Sequence, residues 1–259
     1  LIAAACVGIV GIFVGLFLGV AGIKFKVEVD EKEEAVLVAL PGNNCGGCGF
    51  AGCSGLAAAI AKGEAAVNTC PVGGEEVGKK IAAIMGVEAG ASERKVAYVH
   101  CQGDCDRTKT DYDYYGIKDC RMMSFVPGGG PKSCNSGCLG FGTCVQVCPF
   151  DAIHVENGVA VVDKEKCKAC GKCVEVCPKH LISLRPYSNT VQVACSSTDK
   201  GPVTMKACTT GCVGCGICVK NCQHDAVKVE NFHAVIDPEK CVGCGACMEK
   251  CPKKCIVKA

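Results

Sequence analysis

The sequence predicts an α+β chain of small modules. An apolar N-terminal helix comes first, then a small, mainly helical domain, then two tandem modules of short strands framed by cysteine runs. Three observations carry that expectation. Residues 1–23 contain no charged side chain. The 259-residue chain holds 27 cysteines, most of them in C-x2-C-x2-C-x3-C runs or fragments of such runs. And Cys148-Pro-Phe-Asp-Ala-Ile-His-Val-Glu-Asn returns as Cys222-Gln-His-Asp-Ala-Val-Lys-Val-Glu-Asn, 74 positions further on. The length suits two or three small domains rather than one.

Cysteine at this density means either a secreted disulfide scaffold or a metal protein. Repeated two-residue gaps decide for metal, because they let several thiolates converge on one centre. A formal charge of +2 says little about partners. No basic stripe with interleaved aromatics runs along the chain, so nucleic acid is not an expected partner.

The elements follow in order. A helix of 23 residues would rise ~35 Å, enough for a ~30 Å hydrocarbon core, so 1–23 is expected to be a single transmembrane anchor helix. Lys24 and Lys26 favour a cytoplasmic C-terminal side. Gly11, Gly15 and Gly19 would let a partner helix approach one face, and Cys6 reads as a packing residue. A charged linker, 24–34, leads to a four-cysteine domain over 35–87 with Cys45, Cys48, Cys53 and Cys70. Helices are expected at 54–62 and 75–85. These four thiolates fit one 4Fe–4S cluster, with a structural zinc as the alternative. The connecting region 88–133 carries a strand at 96–100 and three further cysteines in loops: Cys101, Cys105 and Cys120.

Modules are expected at 134–190 and 191–259, each reading cysteine run, strand, turn, strand, cysteine run. This is the plan of a two-cluster ferredoxin, where three cysteines of a run bind one cluster and the fourth crosses to the other. In the second module Cys212, Cys215 and Cys218 pair with Cys251, and Cys241, Cys244 and Cys247 pair with Cys222. In the first, Cys167, Cys170 and Cys173 pair with Cys148. The remaining site lacks a ligand, because Phe141 stands where the repeat has Cys215. Cys134 is the expected replacement, beside Cys138, Cys144 and Cys177. The alternative groups Cys134 with Cys101, Cys105 and Cys120 as a sixth site. Cys195 and Cys208 then read as leftovers of the repeat or a spare thiol pair, and Cys255 as core filling. The total is five 4Fe–4S clusters, or six with the extra site. Histidines 154, 180, 224 and 233 and the tyrosines of 111–115 read as surface, packing or interface residues.

Such an array moves single electrons. No glycine-rich dinucleotide loop, P-loop or Ser/His/Asp arrangement accompanies it, so no flavin or NAD site is expected on this chain. A charge-free helix, then Leu40-Pro-Gly-Asn-Asn-Cys45-Gly-Gly-Cys48-Gly-Phe-Ala-Gly-Cys53, then ferredoxin-like modules, resembles the B subunits of the Rnf complex. Residues 138–153, from Cys138-Leu-Gly-Phe-Gly-Thr-Cys144 onward, are similar to the longer B subunits of anaerobic bacteria. The resemblance implies a cell-membrane complex that oxidises reduced ferredoxin, reduces NAD⁺ and translocates Na⁺ or H⁺. This chain would take electrons from soluble ferredoxin and relay them to membrane and flavin- or NAD-binding subunits. Its cluster modules would lie on the cytoplasmic side. Cys45, Cys48, Cys53 and Cys70 match the family's anchor-proximal cluster site. A cluster subunit of a hydrogenase or formate dehydrogenase is the alternative, and a zinc-stabilised interaction protein a remote one.

Overall fold

The computed structural model describes residues 2–24, 30–90 and 93–258; inside the first helix, side chains are described at 8, 11–21 and 24. α1 spans Ile2–Lys24. The expected transmembrane helix is not supported, and that part of the fold class is corrected: among the described residues no helix is long and apolar enough to cross a membrane. The side chains of Cys6 and Lys26 lie outside the described residues.

α2, Glu31–Ala39, starts inside the stretch expected to be a linker, of which 25–29 lie outside the described residues. Asp30 caps it by accepting the Lys32 N–H at 2.9 Å, and Glu31, Glu33 and Glu34 crowd its positive end. α3 (Gly52–Ala61) and α4 (Gly74–Met85) fall close to the expected helices. The three helices pack around Val36, Leu56, Ile60 and Ile81.

The strand expected at 96–100 forms as β1, Lys95–Val99. It pairs antiparallel with β4, Ile182–Pro186, from Lys95↔Pro186 to Val99↔Ile182. The first module therefore reaches back into the connecting region. Between these strands lies a hairpin of β2 (Ile153–Glu156) and β3 (Val159–Val162). The second module repeats the plan. β5 (Val191–Val193) pairs with β8 (Ile256–Lys258), around a hairpin of β6 (Val227–Glu230) and β7 (His233–Ile236). Both hairpin turns place two residues at positive φ, Asn157-Gly158 in one and Asn231-Phe232 in the other. That suits the twist of two-residue hairpins.

Four one-turn helices sit in the cysteine runs: α5 (Thr143–Gln146), α6 (Lys172–Val176), α8 (Ile217–Lys220) and α9 (Ala246–Glu249). Each follows a left-handed glycine: Gly142, Gly171, Gly216 or Gly245. Glycine reverses the chain there without a Cβ penalty and turns the next cysteine inward. α7, Gly201–Ala207, is an addition of the second module. The modules meet where Thr108 bridges to Cys208, with Thr209 N–H donating to the Arg107 carbonyl at 2.8 Å.

Candidate metal centres

In the N-terminal domain, Cys45 and Cys48 lie on the glycine-rich loop and Cys53 opens α3. Asn44 accepts the Cys53 N–H at 2.8 Å and so fixes the loop to the start of that helix. Cys70 closes the set. Burial pushes its thiol up, and the neighbouring Cys48 and Cys53 push it further. Cys45 faces the next group, where it helps to raise the Cys170 thiol after burial has done so. The contact is tight: a Cβ on Gly47 would lie 2.5 Å from the Cys170 carbonyl oxygen.

Cys148, Cys167, Cys170 and Cys173 line one hollow of about 360 Å³. Backbone N–H groups of Ala97 and Ala152 each reach a sulfur, Cys167 and Cys148, at 3.4 Å. Burial pushes the Cys173 thiol up to about 12, helped by Cys167, Cys170, Cys144 and Cys148. All four members of the expected set are together.

The hollow beside Phe141 is different. It is lined by Cys138, Cys144 and Cys177 as expected, but the fourth thiol is Cys120. Cys134 does not line it. Asp119 caps a 3-10 helix over Cys120–Phe125, and Thr143 accepts the Cys120 N–H at 2.8 Å while donating to Asp119 at 3.1 Å. That network ties Cys120 to the start of α5, next to Cys144. Burial, then Cys138, Cys120 and Cys177, push the Cys144 thiol up to about 12. The Phe141 ring lies against Tyr114, 5.9 Å between centroids.

In the second module, Cys212, Cys215, Cys218 and Cys251 line a hollow of about 330 Å³. Cys255 lines it too, with its sulfur 3.5 Å from that of Cys251, and its pairing with Cys212 holds the Cys212 thiol down and its own up. Cys222, Cys241 and Cys244 surround Cys247, whose thiol is raised first by burial and then by them. Cys101 and Cys134 line a separate hollow, and Cys105 is exposed. The alternative grouping of Cys101, Cys105, Cys120 and Cys134 is therefore not brought together.

Among the described residues no three His, Cys, Asp or Glu side chains form a single-ion site. Four thiolates on one zinc would stand only ~3.8 Å apart. In a four-iron cluster each thiolate takes its own iron, so wider spacing around a hollow is what that cofactor needs. The lining of these hollows offers cysteine sulfur, backbone N–H, the Thr143 hydroxyl and Lys168, Lys172, Lys179 and Lys253, with no His, Asp or Glu. This donor set fits a 4Fe–4S cluster.

Comparison with known proteins agrees with that chemistry. A 4Fe-4S dicluster domain model matches residues 166–226 and 211–255, and an LdpA Fe-S cluster-binding domain model matches 130–188. An iron–sulfur model named FeS matches 40–72. The chain is 48% identical over 257 residues to the B subunit of the Na(+)-translocating ferredoxin:NAD(+) oxidoreductase complex of Acetobacterium woodii, covering 99% of this chain and 77% of that protein. It is 44% identical over 247 residues to the B subunit of the ion-translocating oxidoreductase complex of Methanosarcina acetivorans, covering 95% and 93%. The proton-translocating counterpart of Clostridium ljungdahlii is 43% identical over 231 residues, covering 88% and 81%.

Proposed function

The chain belongs to the family of B subunits of Rnf-type ion-translocating oxidoreductases, and from that premise we propose how its cysteine groups divide the work. It is an iron–sulfur electron-transfer subunit of a multi-subunit oxidoreductase complex, and that membership implies a membrane-associated location.

Five sets would hold 4Fe–4S clusters. They are Cys45, Cys48, Cys53 and Cys70; Cys148, Cys167, Cys170 and Cys173; Cys120, Cys138, Cys144 and Cys177; Cys212, Cys215, Cys218 and Cys251; and Cys222, Cys241, Cys244 and Cys247. Bound there, such clusters would supply reversible one-electron oxidation and reduction. The chain's own contribution is to exclude water and to aim backbone N–H groups at the sulfurs, which tunes reduction potential. Reduced ferredoxin is the proposed donor, engaging the C-terminal module. NAD⁺ reduction and ion translocation, named for the relatives, would occur on partner subunits.

One observation carries the reading. Three of the cysteine groups are neighbours in a row: Cys45 lies beside Cys170, and Cys173 beside Cys144. Isolated structural metal sites would have no need of that contact.

The test is stopped-flow reduction of the anaerobically purified complex by reduced ferredoxin. The Cys45→Ala chain is expected to bleach in the visible on mixing, yet NAD⁺ reduction by its complex should fall by at least an order of magnitude. Failure of the wild-type chain to bleach would sink the donor assignment. Normal NAD⁺ reduction by the variant would sink the proposed direction.

A further inference from the structure

Of the seven cysteines outside the five proposed sets, four come together. Cys101, Cys134, Cys195 and Cys208 line one hollow of about 330 Å³. Its size equals that of the hollow around Cys212, Cys215, Cys218 and Cys251, and its lining likewise contains no His, Asp or Glu. Two of the thiols come from each module.

The arrangement has the pseudo-twofold symmetry of the repeat. Cys101 stands just past β1, and Cys195 just past β5. Gly103 donates its N–H to Cys101 at 3.3 Å, and Ser197 donates to Cys195 at 3.5 Å. Cys138 donates its N–H to Cys101 at 3.3 Å, and Cys212 donates to Cys195 at 3.2 Å. Cys134 and Cys208 each precede those donors by one loop, and Thr108 donates its hydroxyl to Cys208 at 3.7 Å. Buried Lys132, held by the carbonyls of Gly103 at 2.9 Å and Gly158 at 2.7 Å, brings a positive charge beside Cys101. Burial pushes the Cys101, Cys134 and Cys195 thiols up, and the amide donors, with Lys132 beside Cys101, act against it, as they would on sulfurs meant to carry charge. A spare thiol pair would need neither.

We infer that Cys101, Cys134, Cys195 and Cys208 together hold a sixth metal–sulfur centre, of the four-iron class, at the junction of the two modules. The inference rests on reading the flanking sites as iron–sulfur sites. It gives Cys195 and Cys208 a role and leaves Cys105 and Cys255 as thiols. It also sets a ligand of each flanking site, Cys138 or Cys212, one hydrogen bond from a sulfur of this centre. Each module supplies half of the ligands, so the centre also pins the modules together.

Iron and acid-labile sulfide per full-length chain, purified anaerobically, decide the matter. The wild type and Cys105→Ser are expected to hold about 24 of each, and Cys208→Ser about 20. About 20 in the wild type would overturn the sixth centre and leave the proposed function standing. Little iron in any chain would overturn both. Should Cys208→Ser fail to fold, alkylation of the native wild type by iodoacetamide gives an independent readout. Cys105 should be labelled while Cys101, Cys134, Cys195 and Cys208 are protected. Labelling of Cys195 and Cys208 as fast as Cys105 would refute the centre, and stoichiometric zinc with no sixth set of iron and sulfide would refute its class.

Discussion

His100 follows the first strand, with its ring between the two modules. The Val193 carbonyl, 3.1 Å from Nδ1, can only accept, so Nδ1 carries the proton. Nε2 then accepts from the Ser183 hydroxyl at 2.7 Å, and that oxygen also accepts from Arg185 Nε at 3.1 Å. Burial holds the imidazole below its usual pKa, and nearby Arg185 and His233 act the same way. A base whose folded pKa is depressed binds its proton more readily when unfolded. Its stabilising contribution is therefore present above pH 6.5 and lost as pH falls through the lower folded value. The expected outcome is a junction that loosens in mild acid. Amide protection factors at 191–196, which take out the intrinsic slowing of exchange in acid, should fall below pH 6.5 in the wild type, and His100→Asn should flatten that dependence.

The helices of this chain fall into two classes with different sources of stability. α2, α3 and α4 bury Val36, Leu56, Ile60 and Ile81 against one another, an apolar core in which Cys70 is the one buried thiol. α5, α6, α8 and α9 are four or five residues long, too short to nucleate alone. Their ends are held by thiols that share hollows with other thiols, and iron would supply that hold. Removing the metal by chelation should therefore split the chain's behaviour. Amide protection in 31–85 should persist, and protection in 143–177 and 217–251 should collapse to near that of an unfolded chain. Uniform loss across both regions would show that the N-terminal helices also depend on metal. The missed α2 fits the same physics: only Val36 within it is buried, so its apolar pattern is too sparse to mark a helix in the sequence.

At the scale of the whole molecule, contacts between neighbouring bodies set the path between cysteine groups. Gly47 is the clearest case. A methyl group there would meet the Cys170 backbone at 2.5–3.0 Å, and backbone cannot step aside as a flexible side chain can. Gly47→Ala should weaken docking of the N-terminal domain on the first module by about 1–3 kcal/mol. Every ligand set remains whole in that variant. The measurement is paired: iron content unchanged from wild type, and electron delivery to partner subunits slowed several-fold in the assembled complex. Loss of iron in parallel with the rate would point to a local folding defect instead.

The sequence by itself determined the iron–sulfur class, the repeat and most of the cysteines that share a hollow, because two-residue gaps and a fixed offset are local properties of the chain. It also marked the helices near 54–62 and 75–85 and the strand near 96–100. Tertiary structure decided what depends on long-range approach. Cys120 reaches the Phe141 site because Asp119 and Thr143 bond across the fold, although 23 residues separate Cys120 from Thr143. Cys134, the nearer cysteine in sequence, instead lines the junction hollow with Cys101 and Cys195, the cysteines that follow β1 and β5. The expectation of a membrane anchor failed for a different reason. Composition can mark a stretch as apolar, but a span must be an apolar helix of sufficient length, and among the described residues none is.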